Sequence, residues 1–185
     1  MDSPEAAAIE WISALDVGIT HREILASLPA WASKNIFEDK TFNAWLRGDS
    51  DYRVLWAHGL PGSGNTSCTA VVVNKLMQEI ANKDTAVAYV YCGGPKAAEL
   101  TAVTVLGAVC QQLASQTTAA GRPLPALLTK LHAELGASGD EAQLGIDELM
   151  LVLLALCEPF DRMFLCVDAL DECPSDQRPM LLQKV

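Results

Sequence analysis

Apolar residues fall into two arrangements along this chain. In short unbroken runs they follow one another directly, and in longer stretches they recur every three or four positions. Arg53-Val54-Leu55-Trp56-Ala57-His58, a run ending at Val87-Ala88-Tyr89-Val90-Tyr91-Cys92, and Met163-Phe164-Leu165-Cys166-Val167-Asp168 are of the first kind. Unbroken apolar runs suit strands of a parallel sheet covered on both faces, so strands are predicted at 53–58, 86–92 and 163–168. The second arrangement predicts helices at 65–82, 99–116, 123–135 and 145–158, with a last one starting near Asp176. In the first of these Cys68, Val72, Val73, Leu76, Met77 and Ile80 share one arc, and Asn74, Lys75 and Gln78 lie opposite. Leu124, Leu127, Leu128, Leu131 and Leu135 keep helical spacing, with Pro123 suited to the first turn and Gly136 to the end. Residues 1–50 have helical character, broken at Pro29 and Gly48, and form an N-terminal segment ahead of an α/β unit at 51–185.

Between the first strand and the first helix of that unit lies Gly59-Leu60-Pro61-Gly62-Ser63-Gly64-Asn65-Thr66-Ser67. This matches the phosphate-binding pattern G-x-x-x-x-G-K-[ST] at Gly59, Gly64 and Thr66, but Asn65 stands where the lysine belongs. Gly59, Pro61, Gly62, Ser63, Gly64, Asn65, Thr66 and Ser67 would wrap main-chain N–H groups around phosphate oxygens, helped by the positive end of the helix. The Thr66 hydroxyl would face Mg²⁺. The plain alternative is a glycine-rich turn in an ordinary α/β protein.

The third strand delivers Asp168 to its C-terminal edge, followed by Ala169-Leu170-Asp171-Glu172. A carboxylate there lies in the crevice where α/β proteins bind ligands, and Mg²⁺ prefers such hard oxygen donors. Thr66 and Asp168 are therefore the candidate metal ligands, and Glu172 or Asp171 would orient or deprotonate an attacking water. A strand ending in a solvated acidic turn is the plain alternative.

Together, the loop and Leu165-Cys166-Val167-Asp168-Ala169-Leu170-Asp171-Glu172-Cys173 closely resemble the NACHT NTPase domain of fungal NLR-like proteins. These are the nephrocystin-like N-terminal domains often found ahead of ankyrin or WD repeats. Ile9-Glu10-Trp11-Ile12-Ser13-Ala14-Leu15-Asp16 and Phe42-Asn43-Ala44-Trp45-Leu46-Arg47-Gly48 resemble the same family. The resemblance implies a P-loop NTPase three-layer sandwich with a mostly parallel sheet, preceded by a helical segment. It implies ATP or GTP bound with Mg²⁺, a change of shape, and self-association or partner binding through attached domains. Family members continue past the acidic motif, so the domain is expected to be incomplete at Val185, lacking the strand that the family inserts between the loop strand and the acidic strand.

Asn65 keeps two N–H donors but is shorter than lysine and neutral. Loss of one partner of a close charge pair commonly costs about 2–5 kcal/mol. The site is accordingly expected to be a degenerate Walker A, with hydrolysis weak or absent. The second reading is a non-catalytic interaction module, a relic of a P-loop NTPase.

The net charge of −10 argues against binding to nucleic acid or anionic membrane, and it leaves no diffuse positive field to replace the lysine. The longest strictly apolar run, Leu149 to Cys157, has nine residues and is too short to span a bilayer. Six cysteines without a C-x-x-C pair read as free thiols in a reducing, cytoplasmic setting, with Cys173 the one expected at the surface. Trp31, Phe37, Phe42 and Trp45 are expected to pack on the core rather than cover a base. His21, His58 and His132 earn no catalytic role; His21 and His132 stand alone among solvated neighbours.

Overall fold

The structure, a computed structural model, describes residues 3–28, 36–49, 51–60, 62–94, 97, 100–136 and 144–184. Among these, helices α1 (Pro4–Ile12), α2 (Val17–Ser27) and α3 (Lys40–Arg47) precede α4 (Asn65–Lys75). Then follow strand β1 (Thr85–Tyr91), helices α5 (Ala102–Ala119), α6 (Ala126–Leu135) and α7 (Ile146–Cys157), strand β2 (Arg162–Asp168) and helix α8 (Arg178–Lys184). The chain is α/β, with β1 and β2 paired in parallel from Thr85 opposite Arg162 to Tyr91 opposite Asp168.

Side-chain alternation divides that sheet into two working faces. Ala86, Ala88 and Val90 of β1 join the large core built with α1, α5 and α7, around Leu106, Leu113, Leu149 and Leu156. On the other face Val87 and Phe164 form a smaller core with Leu76, against which Trp45 and Val72 pack. In this register Tyr91 and Asp168 stand on the Val87–Phe164 face, the face that α4 covers.

Local chemistry accounts for several boundaries. The side chains of Ser3, Asp16 and Asp39 cap α1, α2 and α3 by accepting main-chain N–H bonds. Gly48 closes α3 in a left-handed conformation (φ 78°), where the sequence placed a break. Pro29 and Trp31 lie outside the described residues. Helix α6 starts after Pro125 rather than at Pro123. The helix predicted over 65–82 is α-helical to Lys75 and continues as a π-helical turn, Leu76–Ile80; Met77 on its expected inner arc is exposed.

The main departure concerns the segment 53–58. It forms no strand, and Val54 and Trp56 are 79% and 74% exposed. A strand needs a neighbour for its N–H and C=O groups, and the sheet described here consists of β1 and β2 alone. Trp45 Nε1 donates to the Arg53 carbonyl at 3.0 Å and holds the start of the segment.

The outer edge of β1 is closed by side chains. Gln112 Oε1 accepts from Tyr89 N and Gln112 Nε2 donates to Tyr89 O, at 3.1 and 2.9 Å. One helical turn on, Gln116 does the same for Val87 at 3.0 and 2.8 Å. Two primary amides spaced four apart on α5 thus stand in for a neighbouring strand.

Helix α2 is seated by His21. Sequence reading set this residue among solvated neighbours, but it is buried, with Nδ1 2.7 Å from the Tyr91 hydroxyl and its ring 4.8 Å from that of Tyr89. Burial, then the charge of Arg22, holds the His21 pKa below its ordinary value. A histidine whose folded pKa is depressed binds fewer protons in the fold than in the unfolded chain, so stability is present above the unfolded pKa and is lost as pH falls. Urea midpoints should therefore drop between pH 7.5 and pH 5.5, about the unfolded histidine value, and His21→Gln should flatten that slope. An unchanged slope in the variant would remove His21 as its source.

Cys173, expected at the surface, is buried with Cys92 and Cys110, and none of the six thiols is paired in a disulfide. Burial pushes Cys92, Cys110 and Cys166 up to about 12. Among the described residues, no helix is long and apolar enough to cross a membrane.

Candidate functional site

The glycine loop leads directly into α4. Gly62 and Gly64 take positive φ values of 79° and 93°, which a side chain resists, and Gly64 serves as the helix N-cap. Ser63 N donates to Leu60 O at 3.0 Å, and Cys68 N donates to Gly64 O at 2.8 Å, the first bond of the helix. Pro61 lies outside the described residues. The rest of the loop, from Gly59 to Thr66, is exposed, and Ser67 is half-buried.

Asn65 turns back into the loop. Its Nδ2 donates to the Gly59 carbonyl, and its Oδ1 accepts from the Ser63 hydroxyl, both at 3.3 Å. A Cβ on Gly59 would stand 2.3 Å from Ser63 Oγ and 2.7 Å from Asn65 Oδ1, so a side chain there would push both of them aside.

Thr66 and Asp168, 102 positions apart, are in direct contact: Thr66 Oγ1 donates to Asp168 Oδ2 at 2.8 Å. Asp168 is 6% exposed, at the end of β2. Its other oxygen, Oδ1, accepts from Thr69 Oγ1 at 3.0 Å. Sequence reading missed Thr69, although its spacing could have shown it. Three positions after Thr66, it falls on the same helix face one turn on. Thr69 Oγ1 also lies 3.2 Å from the Asn65 carbonyl, so its single proton serves one acceptor at a time. Two hydroxyl donors therefore satisfy a carboxylate that burial would otherwise penalise.

Cys92 N donates to Asp168 O at 2.9 Å, which carries the β1–β2 ladder one residue beyond the strand. Cys68 sits beside the carboxylate, and burial, then the charge of Asp168, raises its pKa. Both acids downstream are exposed; Glu172 reaches the end of β1, where Gly94 N donates to its Oε2 at 3.3 Å. The structure thus brings Thr66 and Asp168 together, adds Thr69, and sets Glu172 over the adjacent strand. Among the described residues no group of three or more His, Cys, Asp or Glu side chains is arranged to hold a metal ion.

These features, a glycine loop opening a helix against an acid-bearing parallel strand, accompany a match of residues 32–185 to the family model described as Nephrocystin 3, N-terminal; the chain belongs to that family. It is also similar to the vegetative incompatibility protein HET-E-1 of Podospora anserina, with 27% identity over 164 residues. That match covers 84% of this chain and 11% of the relative, so the chain corresponds to a small part of the longer protein. No solved structure matches it.

Proposed function

We propose that residues 51–185 are a nucleotide-binding switch module of NACHT type on a partial P-loop NTPase framework. ATP or GTP would sit on the loop from Gly59 to Ser67, with hydrolysis weak or absent. The observation that carries this reading is the pair of hydroxyl bonds from Thr66 and Thr69 to the buried Asp168 carboxylate. A hydroxyl that gives its proton to Asp168 keeps its lone pairs for a cation, so Thr66 and Asp168 together offer the hard oxygen donors that Mg²⁺ prefers. When bound, Mg²⁺ would supply positive charge to the outer phosphates, of particular value where Asn65 supplies none. The main-chain amides after Gly62 would hold phosphate oxygens, and Asp171 and Glu172 are the acids nearest the water in this scheme.

In this reading the helical segment 1–50 is a linker, the setting is cytoplasmic, and the response passes to attached domains through self-association or partner proteins. One observation favours the second reading, an interaction module without nucleotide: Asn65 already bonds both Gly59 and Ser63 inside the loop.

Titrating fluorescent ATP and GTP analogues against the wild type and Asp168→Asn, with and without Mg²⁺, tests the proposal. Binding to the wild type should require Mg²⁺. The variant should lose affinity on the order of 10-fold or more, the usual weight of a hydrogen-bonded charge. Binding that ignores both Mg²⁺ and Asp168 would sink it.

A further inference from the structure

Asp168 faces α4, but Glu172 does not follow it there. Ala169 takes a φ of 52°, and it is the one residue other than glycine with a positive φ among the described residues. Such a backbone persists only where its surroundings enforce it. It turns the chain out of β2 into the short 3₁₀ turn Leu170–Glu172, whose last residue reaches Gly94 beyond the end of β1.

That approach depends on two adjacent glycines. A Cβ on Gly93 would lie 3.0 Å from Ala169 Cβ, 3.0 Å from Glu172 Oε2 and 3.1 Å from Glu172 Cδ. Contacts this short displace either the strained turn or the carboxylate. Gly94, at φ 98°, directs its N–H to Oε2 from a backbone that side chains resist. The donor is main chain and so cannot rotate away. It is also tied to the metal-facing acid, because Cys92, two residues before Gly94, donates its N–H to the Asp168 carbonyl at 2.9 Å.

We propose that the Gly93–Gly94 turn is a positioning element for Glu172. Gly94 N–H fixes the carboxylate, and bare Gly93 leaves it room. The Cys92–Asp168 bond references both acids to one ladder. This inference rests on the nucleotide-switch reading, in which Glu172 acts on a water, and it adds the residues that set where that carboxylate stands. A glutamate left to its own rotamers would be a poorly aimed base.

The contact is tested directly by the amide resonance of Gly94 in ¹H–¹⁵N spectra. In Glu172→Ala, which removes the acceptor, that resonance should move while the remaining dispersed peaks stay in place. A Gly94 amide unaffected by Glu172→Ala overturns the proposal. The role is tested by Gly93→Ala in an Asn65→Lys background. There kcat for ATP hydrolysis should fall roughly 3- to 10-fold, the weight of an exposed hydrogen bond, with the Mg-ATP Kd within about twofold. Equal losses in kcat and affinity, or no loss in either, would overturn it. Should Gly93→Ala fail to fold, Glu172→Asp, too short to reach Gly94, carries the same comparison. An Asn65→Lys chain that takes no nucleotide, in which Gly94 still follows Glu172, would instead remove the switch reading itself.

Discussion

A lysine in place of Asn65 should tighten Mg-ATP binding roughly 30-fold to several thousand-fold, the equivalent of about 2–5 kcal/mol. The position is the first residue of α4, directly after a left-handed Gly64, so a long side chain can curl over the loop toward outer phosphates. Little is given up in exchange: the two bonds that Asn65 makes are both 3.3 Å long and exposed. The gain is electrostatic, because the chain carries a net charge of −10 and Lys75, at the far end of α4, is its next lysine. Calorimetric titration of wild type, Asn65→Lys and Asn65→Ala separates the causes. The alanine variant should stay close to wild type if charge is what is missing. A lysine variant that binds no better than wild type would show that the loop is no phosphate cradle.

The second large effect concerns the N-terminal segment. Phe42→Ala should cost about 3–5 kcal/mol, the usual range for deleting a buried aromatic ring. Phe42 is 2% exposed, with ring centroids 5.9 Å from Phe37 and 6.0 Å from Trp45. Trp45 meets Phe164 of β2 edge-on at 5.3 Å, while Arg162 Nη2 donates to the Trp45 carbonyl at 3.0 Å. Arg162 also lies over the Phe164 ring, its guanidinium carbon 4.3 Å from the centroid. Truncation at Phe42 therefore loosens an anchor that reaches the acid-bearing strand. Since domains of this kind hold only about 5–15 kcal/mol in all, chemical denaturation should show one transition at a much lower midpoint. An early, separate loss of the first helices with the sheet left intact would instead mark residues 1–50 as independent of the core.

Much of this was readable in the residues. The runs at 86–92 and 163–168 became β1 and β2 within one residue at each end, because a continuous apolar run has few other uses in an α/β chain. Thr66 and Asp168 were each picked out by a motif and paired by the family resemblance, and their side chains touch. The run at 53–58 is also mainly apolar but has no strand beside it, and composition cannot supply a hydrogen-bonding neighbour. His21 was misread for a related reason: its partner Tyr91 lies 70 positions away and only the fold brings them together. Cys173 follows an acidic turn that looks solvated in sequence, yet the 3₁₀ turn folds it inward. The Gly94–Glu172 contact was hidden likewise, since it depends on the backbone of Ala169.

The glutamine amides on α5 give the sheet a direction of growth. At Val87 and Tyr89 a strand arriving on that flank would have to evict Gln112 and Gln116. Widening on that side costs four bonds, which favours the flank of β2 that ends in Asp168, so architecture and chemistry would be built out from one border.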